Sequence, residues 1–133
     1  MIGPTVATGA IVVEDGALLL VRRGHAPALG YWTVPGGRVE AGEELRAAAA
    51  REVLEETAIE VAAGAFAGWV ERFDEDHHFV ILDFFATPVR SGQEVRAGDD
   101  ATDAQWVPLD HVAEYELAMG LLVFLQEVGT VPA

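Results

Sequence analysis

Glu52, Glu55 and Glu56 are the residues of this chain whose types and spacing most clearly suggest chemistry. An α-helix turns by about 100° per residue, so the three side chains fall within an arc of roughly 100° on one helical face. Like charges at i,i+3 and i,i+4 disfavour a helix, and Arg51 is the one nearby residue that could relieve the repulsion. A divalent cation bound by the three carboxylates is the simplest explanation for their convergence.

The segment in front of these glutamates adds a second source of oxygen ligands. Pro35-Gly36-Gly37 is a strong loop signal, and Gly42 provides another flexible point before the helical pattern begins. Carbonyl oxygens in such a loop are hard ligands, as carboxylates are. Because the chain has no cysteine and its histidines lie elsewhere, these oxygens favour Mg²⁺ or Mn²⁺ over zinc or copper.

The helix that positions the glutamates is predicted to run from about Glu43 to Thr57. Ala49 and Val53 fall on a different side of this helix, which therefore has an apolar face as well as an acidic one. We expect the apolar face to pack on the core and the acidic face to border the site.

Apolar runs and turn signals predict a mainly β framework around this helix. The expected strands cover Val6 to Val13, Ala17 to Arg22, Tyr31 to Val34, Ile59 to Phe73, His78 to Val89 and Gln105 to Val107. A hairpin-like turn at residues 14 to 16 joins the first two, and an apolar helix that contains Gly120 is expected from Leu117 to Val128. Many strands with an acidic helix and a terminal helix predict an α/β fold, in which helices cover a mixed sheet.

Length and charge restrict the class of protein. A chain of 133 residues with 51% hydrophobic residues fits a single domain, taken as residues 1–133. Its 8 basic and 22 acidic residues give a net charge of −14, which opposes binding to a nucleic-acid polymer. No apolar run approaches the roughly 18 residues of a membrane span, and the N-terminus lacks the basic start of a signal peptide. With no cysteine either, we expect a cytoplasmic protein without a membrane partner.

The run from Gly37 to Ile59 resembles the Nudix box, the motif of the Nudix hydrolase family. The box consists of a glycine, a glutamate, an Arg-Glu pair, an aliphatic residue, a Glu-Glu pair, a glycine and a second aliphatic residue at fixed spacing. This chain matches it at Gly37, Glu43, Arg51, Glu52, Val53, Glu55, Glu56 and Ile59. The last glycine of the box is Ala58 here. We expect this alanine either to cost about 1 kcal/mol at a helix exit with positive φ or to force another exit geometry.

This resemblance implies a fold, a reaction and a set of ligands. The fold is the Nudix α/β/α sandwich, and the reaction is metal-dependent hydrolysis of a nucleoside diphosphate linked to another moiety. Glu52, Glu55, Glu56 and the Gly36 carbonyl would bind the Mg²⁺ or Mn²⁺ cofactor. Glu52 and Glu56 would act in catalysis, and Glu52 is the candidate general base.

Three further residues of the box receive structural roles: Gly37, Glu43 and Arg51. On a helix, a spacing of eight residues is about two turns, so Glu43 and Arg51 would point within roughly 80° of each other. We interpret them as an ion pair that holds the glycine loop to the helix.

A further acidic ligand is expected downstream, because relatives often carry one shortly before a tryptophan-containing strand. Asp100 precedes Trp106 by six residues and is our choice, with Asp99 and Asp103 as alternatives. An exposed loop of solubilising acids explains the same residues equally well.

Three residues near the glycine loop are candidates for substrate binding. Arg22 and Arg23 end a strand, where alternation sends one side chain outwards and one towards the site. Either arginine could bind a phosphate, and a solvated pair is the competing interpretation. Trp32 could stack on a substrate base or pack in the core.

The sequence leaves the substrate and the oligomeric state open. Two segments, LLVRRGHAPALGYWTVPGG and HHFVILDFFA, look similar to ADP-ribose pyrophosphatase-like and MutT-like members of the family. We favour ADP-ribose or a related nucleotide sugar, and the alternative is a nucleoside triphosphate pyrophosphohydrolase that sanitises the nucleotide pool. A non-catalytic nucleotide sensor is disfavoured by the retained acids of the box. Periodicity leaves open whether Phe79 to Leu82 is buried core or contributes to a homodimer.

Overall fold

A computed structural model describes residues 3–98 and 100–133 of the chain. The strands in this part are β1 (Thr5–Glu14), β2 (Ala17–Arg23), β3 (Trp32–Thr33), β4 (Gly36–Arg38), β5 (Val61–Phe73), β6 (His78–Pro88) and β7 (Ala101–Pro108). The helices are α1 (Leu45–Thr57), a short 3-10 helix (Leu109–Glu114) and α2 (Leu121–Glu127). None of the helices described here is long and apolar enough to cross a membrane.

The strands form one mixed sheet. Its main path runs β3-β2-β1-β6-β5, while β4 pairs with β1 and β7 pairs with β2. β1 and β6 are parallel, and the other pairs are antiparallel. The β1–β2 hairpin turns through Asp15 and Gly16, which have φ values of 51° and 75°, as a two-residue type I′ turn requires.

The sheet aligns residues that are far apart in the sequence. Gly9 on β1 pairs with Gly36 on β4 and with Asp83 on β6, and Asp83 pairs with Gly68 on β5. One row across four strands therefore holds three glycines and a single acidic side chain.

Helices cover both faces of the sheet, because successive residues of a strand point to opposite faces. Ile11 on β1 belongs to a buried cluster that contains Phe124 and Leu125 of α2. Its neighbours Ala10 and Val12 belong to a second cluster, which contains Val53 of α1. The predicted α/β class, with a mixed sheet between helices, is confirmed.

The structure corrects two predicted helix boundaries. α1 begins at Leu45, so Glu43 precedes the helix, and its N-cap residue Glu44 is extended with φ −70° and ψ 149°. The predicted C-terminal helix from Leu117 is wrong at its start, because Gly120 has a left-handed φ of 82° and caps α2. Leu117 instead forms an isolated bridge with Trp32. The prediction included neither β4 nor the 3-10 helix.

Ala58 keeps the exit geometry for which the motif favours glycine. It has φ 65° and ψ 11°, and its N–H donates to the Leu54 carbonyl at the end of α1. A left-handed backbone disfavours any residue with a Cβ. The alanine therefore strains the helix exit and does not redirect the chain.

Candidate active site

A cavity of about 410 Å³ lies beside the glycine loop and the acidic face of α1. Glu52, Glu56 and Asp100 line it together with the backbone of Gly36 and Gly37. β1, β5 and β6 also contribute side chains to its wall. The cavity therefore brings the predicted acidic residues together with the face of the sheet.

Glu56 is the most deeply buried acid of the box. The residue is 9% exposed, and its Oε1 accepts a hydrogen bond of 2.8 Å from the Gly36 N–H. The pKa of Glu56 is raised to about 8, chiefly by burial and also by the charges of Glu52 and Asp100, while the Gly36 hydrogen bond and Arg23 act in the opposite direction. These surroundings favour a cation beside Glu56 or a proton on it.

Glu52 lies beside the glycine loop and explains the requirement for Gly37. A Cβ atom at Gly37 would lie 2.5 Å from the Glu52 carboxylate. Burial raises the pKa of Glu52, whereas the Arg51 guanidinium lowers it. Glycine at this position lets the loop approach the carboxylate closely.

Arg51 ties the loop to the helix. Its Nε and Nη2 donate to both carboxylate oxygens of Glu43, at 2.7 and 2.9 Å, so the contact that the spacing predicts is present. The same guanidinium donates to Glu52 at 2.9 Å, to Glu55 at 3.2 Å and to the Arg38 carbonyl at 3.1 Å. These bonds lower the pKa of Glu43 and raise that of Arg51. The Glu55 side chain is 57% exposed and does not line the cavity.

Asp100 reaches the cavity because the preceding segment is anchored to the end of α1. The Arg96 and Gly98 N–H groups donate to the Thr57 and Glu56 carbonyls, both at 2.9 Å. A Cβ atom at Gly98 would overlap the Glu55 carbonyl oxygen, so this approach requires glycine. Of the two alternatives to Asp100, Asp103 accepts hydrogen bonds from Ala104 and Gln105 and does not line the cavity. Asp99 lies outside the described residues.

Of the three predicted substrate-binding residues, one lies at the cavity and two lie elsewhere. Arg23 lines the cavity, and burial lowers its pKa while Glu56 and Asp100 raise it. Arg22 is exposed and donates to the Gly30 carbonyl at 3.1 Å. Trp32 packs edge-on against Tyr115 at 5.2 Å, next to the core cluster. Neither Arg22 nor Trp32 lines the cavity, which agrees with the alternation expected for the arginines and with core packing for the tryptophan.

The donor set fits a hard divalent cation. Glu52, Glu56, Asp100 and the Gly36 carbonyl supply oxygen ligands only, which suit Mg²⁺ or Mn²⁺. Within residues 3–98 and 100–133, however, no three acidic or histidine side chains converge closely enough to form a ready metal cage. Arg51 explains part of this separation, because it holds the Glu52 and Glu55 carboxylates.

Arg72 and Asp83 also line the cavity. The sequence offered Arg72 as one of several arginines that could meet an anionic substrate, and it assigned no role to Asp83. Arg72 donates to Thr33 Oγ1 at 3.2 Å, and burial lowers its pKa to about 10. Burial raises the pKa of Asp83 to about 7, with Arg72 acting in the opposite direction. A lone acid within the apolar run FVILDFFA was the signal that could have drawn attention to Asp83.

The box, the cavity and the sheet agree with comparison to known proteins. The model of the NUDIX domain matches residues 3–128, and the chain belongs to the Nudix family. A MutT NUDIX hydrolase from Burkholderia pseudomallei superposes with a TM-score of 0.79 at 29% identity, covering 95% of this chain and 98% of that one.

Two curated relatives differ in the substrate that their names state. The chain is 33% identical over 111 residues to an ADP-ribose pyrophosphatase of Methanocaldococcus jannaschii, covering 82% of this chain and 64% of the relative. It is 36% identical over 104 residues to a putative 8-oxo-dGTP diphosphatase of Bacillus subtilis, covering 74% of this chain and 64% of the relative. The chain thus spans slightly less than two thirds of the length of either protein.

Proposed function

We propose that this chain is a divalent-metal-dependent hydrolase that cleaves the phosphoanhydride bond of a nucleoside diphosphate linked to another moiety. The observation that carries the proposal is the meeting of Glu52, Glu56 and Asp100 with the glycine loop around one cavity. Arg23 in the same cavity provides a cation for a phosphate group. The pyrophosphatase and diphosphatase names of the two curated relatives support the same reaction class.

The residues of the box divide the work of the proposed site. Glu52, Glu56, Asp100 and the Gly36 carbonyl would hold Mg²⁺ or Mn²⁺, with Glu55 as a further predicted ligand. When bound, the cation supplies charge neutralisation to the diphosphate. Arg51 positions two of these acids through its hydrogen bonds.

Glu52 is the proposed general base. Burial raises its pKa, which makes its carboxylate a better proton acceptor near neutral pH. It would take a proton from water as the water oxygen bonds to phosphorus and the bridging P–O bond breaks, which releases two phosphate-bearing products. Glu56 is the second catalytic carboxylate of the proposal, and in both acids one oxygen already accepts a hydrogen bond, from Gly36 N–H in Glu56 and from Arg51 in Glu52.

ADP-ribose or a related nucleotide sugar is the proposed substrate, as the M. jannaschii relative suggests. Hydrolysis of a nucleoside triphosphate is the second candidate, favoured by the B. subtilis relative. We propose a cytoplasmic location for the reaction, with which a chain that has no cysteine is compatible. A homodimer to which the apolar segment from Phe79 to Leu82 contributes also stays a prediction.

A substrate panel tests the proposal. Purified protein would be assayed with Mg²⁺ on ADP-ribose, nucleotide sugars, dinucleotides and nucleoside triphosphates, and products would be separated by chromatography. We expect turnover that disappears on chelation, returns with Mg²⁺ or Mn²⁺, and is highest for ADP-ribose or a nucleotide sugar. Full turnover in the presence of chelator would rule out the metal-dependent mechanism, and a clear preference for triphosphates would select the second candidate.

A further inference from the structure

Asp83 is a buried carboxylate that the fold leaves without a partner. The residue is 1% exposed, and its Oδ1 has no hydrogen-bond partner in the described part of the chain. Both residues that flank it on the neighbouring strands are glycines, Gly9 and Gly68. A Cβ atom at Gly9 would overlap the Asp83 Oδ1. A buried acceptor without a hydrogen bond lowers the stability of the folded state by about 1–3 kcal/mol. Packing alone therefore does not explain an aspartate at this position in the sheet.

Arg72 is the basic counterpart of Asp83 in the same cavity. It is partly buried, and its one hydrogen bond within the described residues goes to Thr33 Oγ1 on β3. A guanidinium has five N–H donors, so most of its donors stay available to a ligand. Arg23, Arg72 and Asp83 line the same cavity, so three charged side chains surround one space.

Apolar side chains line the surface between Asp83 and Arg72. Ile81 lies two residues from Asp83 on β6 and pairs with Val70 on β5, two residues from Arg72, and both Ile81 and Val70 line the cavity. Phe79, which pairs with Arg72, adds an aromatic wall. A flat ring with polar groups at its edge matches this combination, because apolar side chains can contact its face while Asp83 and Arg72 reach its edge.

The geometry points to a nucleobase site on this part of the sheet, selective for an amino-bearing base. Asp83 would accept a hydrogen bond from the amino group, while Arg72 would donate to a ring nitrogen or carbonyl of the same base. Val70 and Ile81 would contact its face. This inference rests on the proposed function, because it names the nucleoside part of the same substrate. A base with a keto group in place of the amino group would place its oxygen against the Asp83 carboxylate. Two hydrogen-bond acceptors would then face each other, so such a base should bind more weakly.

Equilibrium binding of nucleoside monophosphates tests the inference apart from hydrolysis, since these ligands have no anhydride bond. Calorimetry with Mg²⁺, at a pH above the pKa of about 7 at which Asp83 ionises, would compare AMP with IMP and CMP with UMP. The members of each pair differ by an amino group in place of a keto group. We expect the amino member of at least one pair to bind about tenfold more tightly, which corresponds to about 1.4 kcal/mol. Equal affinities in both pairs, or no binding of any monophosphate at millimolar concentration, would overturn the inference even if the substrate panel gives turnover.

Two variants assign the selectivity to its residues. Asp83→Asn can both donate and accept, so it should reduce the amino preference to less than about threefold. Arg72→Lys should weaken both members of a pair by a similar factor, because the lysine retains charge but loses the planar fork. Retained selectivity in Asp83→Asn, with an unchanged circular dichroism spectrum, contradicts the assignment. Ribose 5-phosphate that binds as tightly as AMP would identify a sugar site instead.

Matched controls come from exposed positions. Asp110, with an 83% exposed side chain, and Arg90, with a 64% exposed side chain, lie outside the cavity. Asp110→Asn and Arg90→Lys should therefore leave all four affinities unchanged. A loss of selectivity in Asp110→Asn equal to that in Asp83→Asn would show a general charge effect and defeat the inference.

Discussion

Two arginines near this cavity have opposite surroundings. Arg51 donates six hydrogen bonds, all to residues of the box segment, whereas Arg72 donates one, to Thr33. The acids differ in the same way: Glu43 is held by two bonds from Arg51, while the Oδ1 of Asp83 has no partner within the described residues.

The difference separates two tasks. A polar group that already has its partners contributes rigidity, and a buried group without a partner loses stability until a ligand supplies one. The box segment is therefore organised before any ligand arrives. The sheet around Asp83 and Arg72 carries unused hydrogen-bonding capacity, which suits recognition of a ligand.

Removal of a box carboxylate should have the largest effect on activity. Glu52→Gln and Glu56→Gln each remove a charge where the cation is proposed to bind, with little change in side-chain size. We expect kcat to fall by at least about 10²-fold, measured with saturating Mg²⁺. The melting temperature should stay level or rise, because carboxylate repulsion is relieved.

Glu44→Gln is the matched control for these variants. Glu44 is exposed and caps α1 without a side-chain hydrogen bond, so its substitution should leave kcat nearly unchanged. Near wild-type turnover in both box variants, together with a loss in Glu44→Gln, would mean that the wrong face of α1 has been assigned to catalysis.

Arg51→Ala tests whether the box is held by its own ion pairs. Loss of the guanidinium leaves the Glu43 and Glu52 side chains, only 18% and 15% exposed, without their counter-charge. We expect the free energy of unfolding to fall by about 2–3 kcal/mol, below the full cost of breaking a buried pair because water reaches these groups. Urea denaturation measures the change, and activity should fall with it.

Two other arginine variants sharpen this test. Arg90 pairs with Glu60 at 3.0 Å with both side chains more than half exposed, so Arg90→Ala should cost less than about 1 kcal/mol. Arg23→Ala should mainly raise KM, because Arg23 lines the cavity. An Arg51→Ala protein as stable as Arg90→Ala would contradict the structural role of the network. An unchanged KM and kcat in Arg23→Ala would remove its assignment as a phosphate contact.

The contrast between the two regions also explains what the sequence could predict. The box residues lie within one short segment, so helical geometry alone placed Glu52 and Glu56 on one face. The predicted Glu43–Arg51 contact is present, but Glu43 precedes α1, so the loop in front of the helix and not a helical spacing brings it to Arg51. Strand positions were predicted to within a few residues for β1, β2 and β6.

Asp83 required information that a single sequence does not carry. Its position depends on the parallel pairing of β1 with β6 and on a glycine row across four strands, which are contacts between distant segments. The start of α2 failed for a local reason, since the positive φ of Gly120 cannot be read from an apolar periodicity. The proposed nucleobase site therefore became visible only in the folded chain.

The two buried acids of the cavity should also make stability depend on pH. Burial raises the pKa of Glu56 to about 8 and that of Asp83 to about 7, both from the usual value of about 4 for a carboxylic acid. Between these limits the folded state binds more protons than the unfolded state, so the free energy of unfolding falls as pH rises from about 4 to about 8. Urea denaturation with chelator at several pH values measures this slope.

Variants of the two acids show how much each one contributes to the pH dependence of the free energy of unfolding. Glu56→Gln should remove the portion that extends towards pH 8, and Asp83→Asn the portion that ends near pH 7, as the two raised pKa values require. Glu44→Gln should keep the wild-type slope. A stability that rises steadily from pH 5 to pH 8 would have the wrong sign and would exclude buried, protonated acids at this site.

The smallest expected effect concerns the exit of α1, where the box departs from its motif. Ala58 has φ 65°, so Ala58→Gly should relieve strain and raise the free energy of unfolding by about 0.5–1 kcal/mol, even though glycine gains entropy in the unfolded chain. Ala47→Gly is the matched control, because Ala47 is exposed within the same helix, where glycine should destabilise by about 1 kcal/mol. Chemical denaturation of both variants gives the comparison: opposite signs support a strained exit, whereas two losses of similar size would show that the left-handed backbone at Ala58 carries no cost. Activity should change little in either variant, since both side chains lie outside the cavity.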